Sequence, residues 1–224
     1  MRTSLNFDGK QLVGFQKTSM VDYPGKVAAV IFFPFCNMRC PWCHNGDLIL
    51  NRTREGLIPL NEALSHIAKR KSVLGGVVLS GGEASLYPRI TELIAYIKKL
   101  SLLVKLDMNG TLPDTLEKIL SSPETRPDYI AMDLKIAPPR YAEIMADKNA
   151  ATPAAIAAAL EGSAALVRES GLPHEFRSLN LPSPYFTEAD IAALRPLAGS
   201  SAWNFRPLIL DTPLDPSWAA LRHP

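Results

Sequence analysis

The chain has 224 residues, of which 47% are hydrophobic and 21% charged, and a net charge of +2. That length allows one sizeable core, and the scattered lysines and arginines leave no footprint for a nucleic-acid partner. No apolar run approaches the ~20 residues of a membrane span, and no basic-then-apolar leader precedes a cleavage site, so a cytoplasmic protein with no membrane partner is expected.

In chain order, Leu12 to Lys17 alternates loosely and predicts a short strand, and Asp22-Tyr23-Pro24-Gly25 predicts a turn. Val27 to Phe33 is a continuous apolar run, the pattern of a strand buried on both faces of a parallel sheet. It leads into Cys36-Asn37-Met38-Arg39-Cys40-Pro41-Trp42-Cys43-His44-Asn45, which holds every cysteine of the chain. From Pro59 the period turns helical, with Leu60, Leu64, Ile67 and Ala68 on one face. Gly76 to Ser80 is a second buried strand ending in Gly81-Gly82-Glu83; Pro88 to Leu100 is a helix with proline in its first turn; Leu102 to Leu106 is a strand closed by Asp107-Met108-Asn109-Gly110.

A helix over Pro113 to Leu120 then precedes a strand over Asp128 to Leu134, which ends in Asp133-Leu134-Lys135. Pro153 to Ser170 is an Ala-rich helix, with Thr152 as N-cap and proline at the first position. Glu175 to Leu181 is a strand, Thr187 to Leu197 a helix and Trp203 to Leu210 a last strand. Six strands alternating with helices indicate an α/β fold with a parallel sheet and right-handed crossovers, closed or open. One domain is expected, with 1–26 as an N-terminal extension, 27–210 as the βα core and 211–224 as a tail. Active sites of such sheets lie at the C-terminal ends of the strands, where each of the motifs above falls.

Three thiols spaced C-x3-C-x2-C in a compartment that keeps them reduced point to a metal. Zinc asks for a second ligand pair, and His66, His174 and His223 stand alone, so a closed site would have to recruit His44. An iron–sulfur cube on three thiolates instead leaves one iron open for a substrate or cofactor. Gly81 and Gly82 let backbone approach a ligand closely, and the Glu83 carboxylate can accept from an ammonium, although a tight βα turn also explains paired glycines. Asp107, Asp133 and Lys135 suit either ligand binding or capping and surface pairing. Arg177, inside an apolar strand, needs a partner, for which a structural salt bridge would suffice.

The C-x3-C-x2-C loop with Trp42 before its last cysteine resembles the signature of radical S-adenosylmethionine (radical SAM) enzymes. The resemblance implies a partial (β/α)6 TIM-like barrel open on one side. It also implies a [4Fe-4S] cluster on Cys36, Cys40 and Cys43, whose open iron chelates the amino and carboxylate groups of S-adenosylmethionine (SAM). Reduction then yields methionine and a 5′-deoxyadenosyl radical. Gly81-Gly82-Glu83 is similar to the G-G-E-P element that engages the methionine amino group; Ala84 replaces the proline, and a more flexible turn is expected. Asp107, Asn109, Asp133 and Lys135 fall in elements resembling D-T-N-G and D-L-K, near the SAM carboxylate, with Met108 in place of threonine. There the two aspartates share a monovalent cation and the lysine offers a compact positive charge. Arg177 resembles the strand-five arginine of activating enzymes. Trp42 would stack on or flank adenine, or plug the core beside the cluster.

Gly14 to Ser19, Asp22-Tyr23-Pro24-Gly25-Lys26 and Cys43-His44-Asn45 narrow the likeness to the activating proteins of anaerobic (class III) ribonucleoside-triphosphate reductase. D-x-P-G and C-H-N also recur in activases of other glycyl radical enzymes, including pyruvate formate-lyase. The resemblance runs from about Leu12 to Pro207. It implies a glycyl radical enzyme as partner, with the reductase favoured, and a flavodoxin- or ferredoxin-like electron donor. Asp22 and the open side of the barrel would meet the partner's glycine loop. A small-molecule radical SAM enzyme of the 7-carboxy-7-deazaguanine synthase type and a zinc-stabilised binding module are the alternatives.

Overall fold

The computed structural model of the chain describes residues 7, 9–50, 52 and 54–222, and His223 lies outside them. Strand β1 (Leu12–Ser19) runs antiparallel to β2 (Ala28–Phe33), and on its other side antiparallel to β3 (Leu57–Pro59). From β2 the sheet continues in parallel through β4 (Gly76–Gly81), β5 (Leu103–Met108), β6 (Tyr129–Asp133), β7 (His174–Leu179) and β8 (Trp203–Arg206). The order β3-β1-β2-β4-β5-β6-β7-β8 leaves β3 and β8 as edges. This is the expected (β/α)6 half-barrel, with an antiparallel pair added at its front edge.

The helices are α1 (Gly46–Ile49), α2 (Leu60–Lys69), α3 (Ile90–Lys99), α4 (Pro113–Leu120), α5 (Pro153–Glu169) and α6 (Glu188–Ala198). Burial on both faces explains the unbroken apolar run of β2. Ala29, Ile31 and Phe33 pack with α2 and α3 in one core, while Ala28 and Val30 join Tyr23 and Val78 in a smaller cluster. A second large core gathers β6, β7, α5 and α6, and it includes Cys40 and Trp42. The Thr152 hydroxyl accepts from the Ala155 N–H at 3.2 Å, and Thr187 with Asp190 closes a capping box on α6.

Several boundaries differ from expectation for physical reasons. Strand β8 ends at Arg206, not Leu210, because Pro207 has no N–H to continue a ladder. Helix α3 starts at Ile90, after a 3-10 turn over Ala84–Leu86, so Pro88 lies before the helix. Strand β3 and helix α1, three and four residues long, carry too little periodicity to be seen in sequence.

Candidate active site

The loop that follows β2 is pinned at several points. Arg39 N–H donates to Ile144 C=O at 2.6 Å and Ala146 N–H to Asn37 C=O at 2.9 Å, so the loop lies over the segment that follows β6. On its far side Leu214 N–H donates to Cys43 C=O at 2.9 Å and Asp215 N–H to Pro41 C=O at 3.0 Å. The Trp42 ring packs on Trp218, with centroids 5.2 Å apart. Held this way, Cys36, Cys40 and Cys43 all face one cleft of about 500 Å³ at the C-terminal ends of the parallel strands. Burial pushes the Cys36 thiol up to about 11 and the Cys40 thiol up to about 12, and raises Cys43 as well; Lys135 pulls in the opposite direction on all three. Free, these thiols are protonated at neutral pH, and a metal that takes them as thiolates must displace those protons.

Beside the loop, the turn after β4 makes the closest backbone approach in the site. Gly82 N–H donates to Phe33 C=O at 2.8 Å and Glu83 N–H to Phe35 C=O at 2.7 Å. A Cβ on Gly82 would lie 2.1 Å from the Phe35 carbonyl oxygen; one on Gly81, whose φ is +105°, would lie 2.3 Å from Phe33 N. Both positions therefore require glycine. Gly82→Ala is expected to lower stability by roughly 1–3 kcal/mol and to splay the cysteine loop away from β4, measured by urea unfolding. The Asn45 amide donates to Gly81 C=O at 2.8 Å, which ties the cysteine loop to the same turn from the other end.

Glu83 is 1% exposed, and both of its oxygens are engaged within the chain. One accepts from Ser85 N–H at 3.1 Å and from the Ser85 hydroxyl; the other accepts from Asn109 N–H at 2.7 Å. Its carboxylate therefore brackets the ends of β4 and β5, and a 3-10 turn over Ala84–Leu86 follows it. Burial raises Glu83 to about 7 against those hydrogen bonds. An unfolded chain releases this proton near 4.5, so between pH 4.5 and 7 the folded state binds more protons. Through this group stability is greatest below 4.5 and falls by about 3 kcal/mol as pH rises to 7. Carbon NMR of the Glu83 carboxyl should show a midpoint near 7, and a midpoint near 4.5 would refute the assignment.

The Asn109 side chain donates to Asn37 Oδ1 at 2.8 Å and accepts from Thr111 N–H at 3.0 Å, joining β5 to the cysteine loop. Asp107 accepts from Ser80 Oγ at 2.9 Å and pairs with Lys105. Arg177 lies between the two aspartates, 3.4 Å from Asp107 Oδ1 and 2.9 Å from Asp133 Oδ1. Lys135 Nζ is 3.0 Å from Asp133 Oδ2. The place expected for a monovalent cation between Asp107 and Asp133 is thus taken by a guanidinium. Burial alone would raise Asp133, but Arg177 and Lys135 hold it down at about 2. Burial would likewise discharge Lys135; Asp133 outweighs it and keeps the ammonium charged.

The structure brings every expected site residue to this one cleft. Trp42, Gly81, Gly82, Glu83, Asp107, Asn109, Asp133, Lys135 and Arg177 line it with the three cysteines, and Asp22 stands at its rim beside the exposed Val21. Trp42, 6% exposed and packed on Trp218, plugs the core as well as lining the cleft. Sequence reasoning missed Lys105 and Glu175, 2% and 4% exposed, which carry charge inside the barrel. Their signal was present as charged residues inside apolar strands, the same signal that singled out Arg177.

Residues 30–184 match the model of the radical SAM superfamily. The chain belongs to that superfamily. Among curated relatives, a Methanocaldococcus jannaschii protein named as a glycyl-radical enzyme activating enzyme is 35% identical over 133 residues, covering 59% of this chain and 53% of that protein. The pyruvate formate-lyase-activating enzyme of Clostridium pasteurianum is 29% identical over 125 residues, covering 54% and 50%. The chain spans about half the length of the curated relatives it matches. Among solved structures, native anSMEcpe with bound AdoMet superposes with a TM-score of 0.58 at 15% identity, over 79% of this chain and 49% of that one. Streptococcus suis SuiB bound to SAM gives 0.57 at 16%, over 80% and 40%. At such identities these two likenesses concern the radical SAM fold alone.

Membership in the radical SAM superfamily implies a [4Fe-4S] cluster and SAM, and the donor set fits them. Three thiols of one loop face the same cleft. Among the described residues, no group of three or more His, Cys, Asp or Glu is arranged to hold a single metal ion. In a cube each thiolate meets its own iron, a different requirement. No helix among the described residues is long and apolar enough to cross a membrane.

Proposed function

We propose that this protein is a radical SAM activase that generates a glycyl radical on a partner enzyme, with anaerobic ribonucleoside-triphosphate reductase favoured. The observation that carries the reading is that the three thiols of one loop face a single cleft of ligand size with charged walls. Relatives named as activating enzymes support the glycyl-radical part. The D-Y-P-G turn and C-H-N element weigh for a glycyl radical activase over a small-molecule enzyme, and only in combination with Gly14 to Ser19 do they favour the reductase.

Cys36, Cys40 and Cys43 would hold the [4Fe-4S] cluster in the cleft they line. When bound, this group supplies the electron that cleaves the SAM sulfonium, and a flavodoxin- or ferredoxin-like donor supplies that electron in turn. Lys135 and Arg177, kept charged by Asp133 and Asp107, face the SAM carboxylate. The backbone at Gly81 and Gly82 would meet the amino group, in a turn that only glycine permits because a Cβ at either position would strike the Phe33 or Phe35 backbone. Trp42 flanks the adenine, and Asn109 with Glu83 keeps the two strand ends and the loop in register. Asp22, whose carboxylate accepts from the Ser19 hydroxyl at the rim, meets the partner's glycine loop.

The test is anaerobic reduction of the reconstituted protein with SAM and candidate partners, read as a glycine-centred EPR doublet. A doublet with the reductase is expected. A doublet with pyruvate formate-lyase alone would move the partner, a reading that the Clostridium pasteurianum relative makes specific. No doublet with any glycyl radical enzyme would sink the activase reading.

A further inference from the structure

Strand β8 ends the sheet, and its side chains are half-buried to exposed. Phe176 N–H donates to Ala202 C=O at 2.8 Å and Asn180 N–H to Arg206 C=O at 2.9 Å. In a parallel ladder alternate residues face the same neighbour, so Ala202, Asn204 and Arg206 turn their backbone groups to β7. The N–H and C=O of Trp203 and Phe205 therefore point outward along the edge. The side chains alternate as well. Asn204 and Arg206 reach inward to Glu175 at 2.7 and 2.9 Å, beside the cleft, while Phe205 packs on Phe186 and Trp203 on the helix side.

Along that helix side runs an apolar groove of about 740 Å³, walled by Phe186, Phe205, Leu208, Ile209 and Leu221. Ile209, 53% exposed, lines both this groove and the cluster cleft. Phe205 and Leu221 are 39% and 37% exposed. An edge with two outward-facing residues, stopped by Pro207, offers few hydrogen bonds for a second copy of this chain to share. It suffices for a short extended segment that also seats side chains in the groove.

We propose that the edge of β8 takes up an extended segment of the partner protein as an added strand, next to the glycine that this segment presents to the cleft. The inference rests on the activase reading and specifies how the substrate is bound. The segment pairs with Trp203 and Phe205, places alternate apolar side chains in the groove, and passes Pro207 and Ile209 into the cleft. Its recognition chemistry is a glycine flanked on one side by leucine- or valine-like residues at every second position.

The probe is a capped nonapeptide with a central glycine and leucines at alternate positions on one side, added to the reconstituted full chain with SAM. Amide exchange at Trp203 and Phe205 is expected to slow by about tenfold or more on binding. N-methylation of the peptide backbone should weaken binding by about tenfold at every second position and leave the intervening ones unchanged. Phe205→Asp should weaken binding comparably and leave SAM cleavage without peptide unaltered. Failure to bind, binding without protection of those two amides, N-methylation effects without period two, or an edge covered by a dimer of this chain would each overturn the proposal. The activase reading is scored separately, by deuterium passing from an α-dideuterated glycine of the peptide into 5′-deoxyadenosine. Protection without transfer keeps the added strand and removes the activase, and transfer without protection does the reverse.

Discussion

Replacing Cys40 by alanine leaves a folded chain that no longer retains iron. Cys40 is the most buried of the three thiols, 6% exposed, and sits in the core with Trp42 and Met38. Removing one sulfur from that packing costs about 1 kcal/mol, which the two large cores and the clamps on the loop absorb. Cluster retention has no such reserve. Of three thiol donors two remain to hold the cluster. Reconstituted wild-type protein is expected to carry about four irons per chain. The Cys40→Ala variant should carry almost none and form 5′-deoxyadenosine only at background, with an unfolding midpoint close to that of the metal-free wild type. Four irons and undiminished cleavage in the variant would remove this cysteine from the donor set.

Arg177→Met should be the most destabilising change in the cleft, by about 3–5 kcal/mol. The guanidinium touches both Asp107 and Asp133, and all three side chains are less than a third exposed. Without it Asp107 still has Lys105 and Ser80, but Asp133 keeps only Lys135. The sign with pH follows. Asp133, held at about 2 in the fold against an ordinary 3.8, contributes stability above 3.8 that is lost as pH falls through 2. The difference between wild type and variant should therefore be largest above pH 4 and shrink toward pH 2 in urea unfolding. Adding Asp133→Asn to the variant should recover part of the loss. A constant difference across that range would show that Arg177 acts by packing, through its aliphatic stem, and not by charge.

Where apolar residues crowd a short span, as in Val27 to Phe33, or repeat at helical spacing, as in α2 and α3, the sequence was sufficient to place an element. The same holds for motifs at strand ends, because the residue after an apolar strand in a parallel sheet can only emerge at the C-terminal rim. Glu83 was legible as a site residue and not in its role. One of its oxygens accepts from Asn109 N–H, 26 positions away, and no local pattern encodes that. Residues 211–224 read as a tail, yet Leu214, Asp215 and Trp218 clamp the cysteine loop from its far side.

By itself, then, the sequence determined the alternation of strands and helices, the three-thiol donor set and the rim on which the charged residues stand, since each depends on composition and spacing along one stretch. The tertiary structure alone decided which charges neutralise one another, so that Arg177 occupies the place between Asp107 and Asp133. It also decided that Trp42 is pressed against Trp218 and that β8 is left with an open edge beside the cleft. Those are relations between residues far apart in sequence, and they exist only once the sheet has curved and its last strand has found no further neighbour.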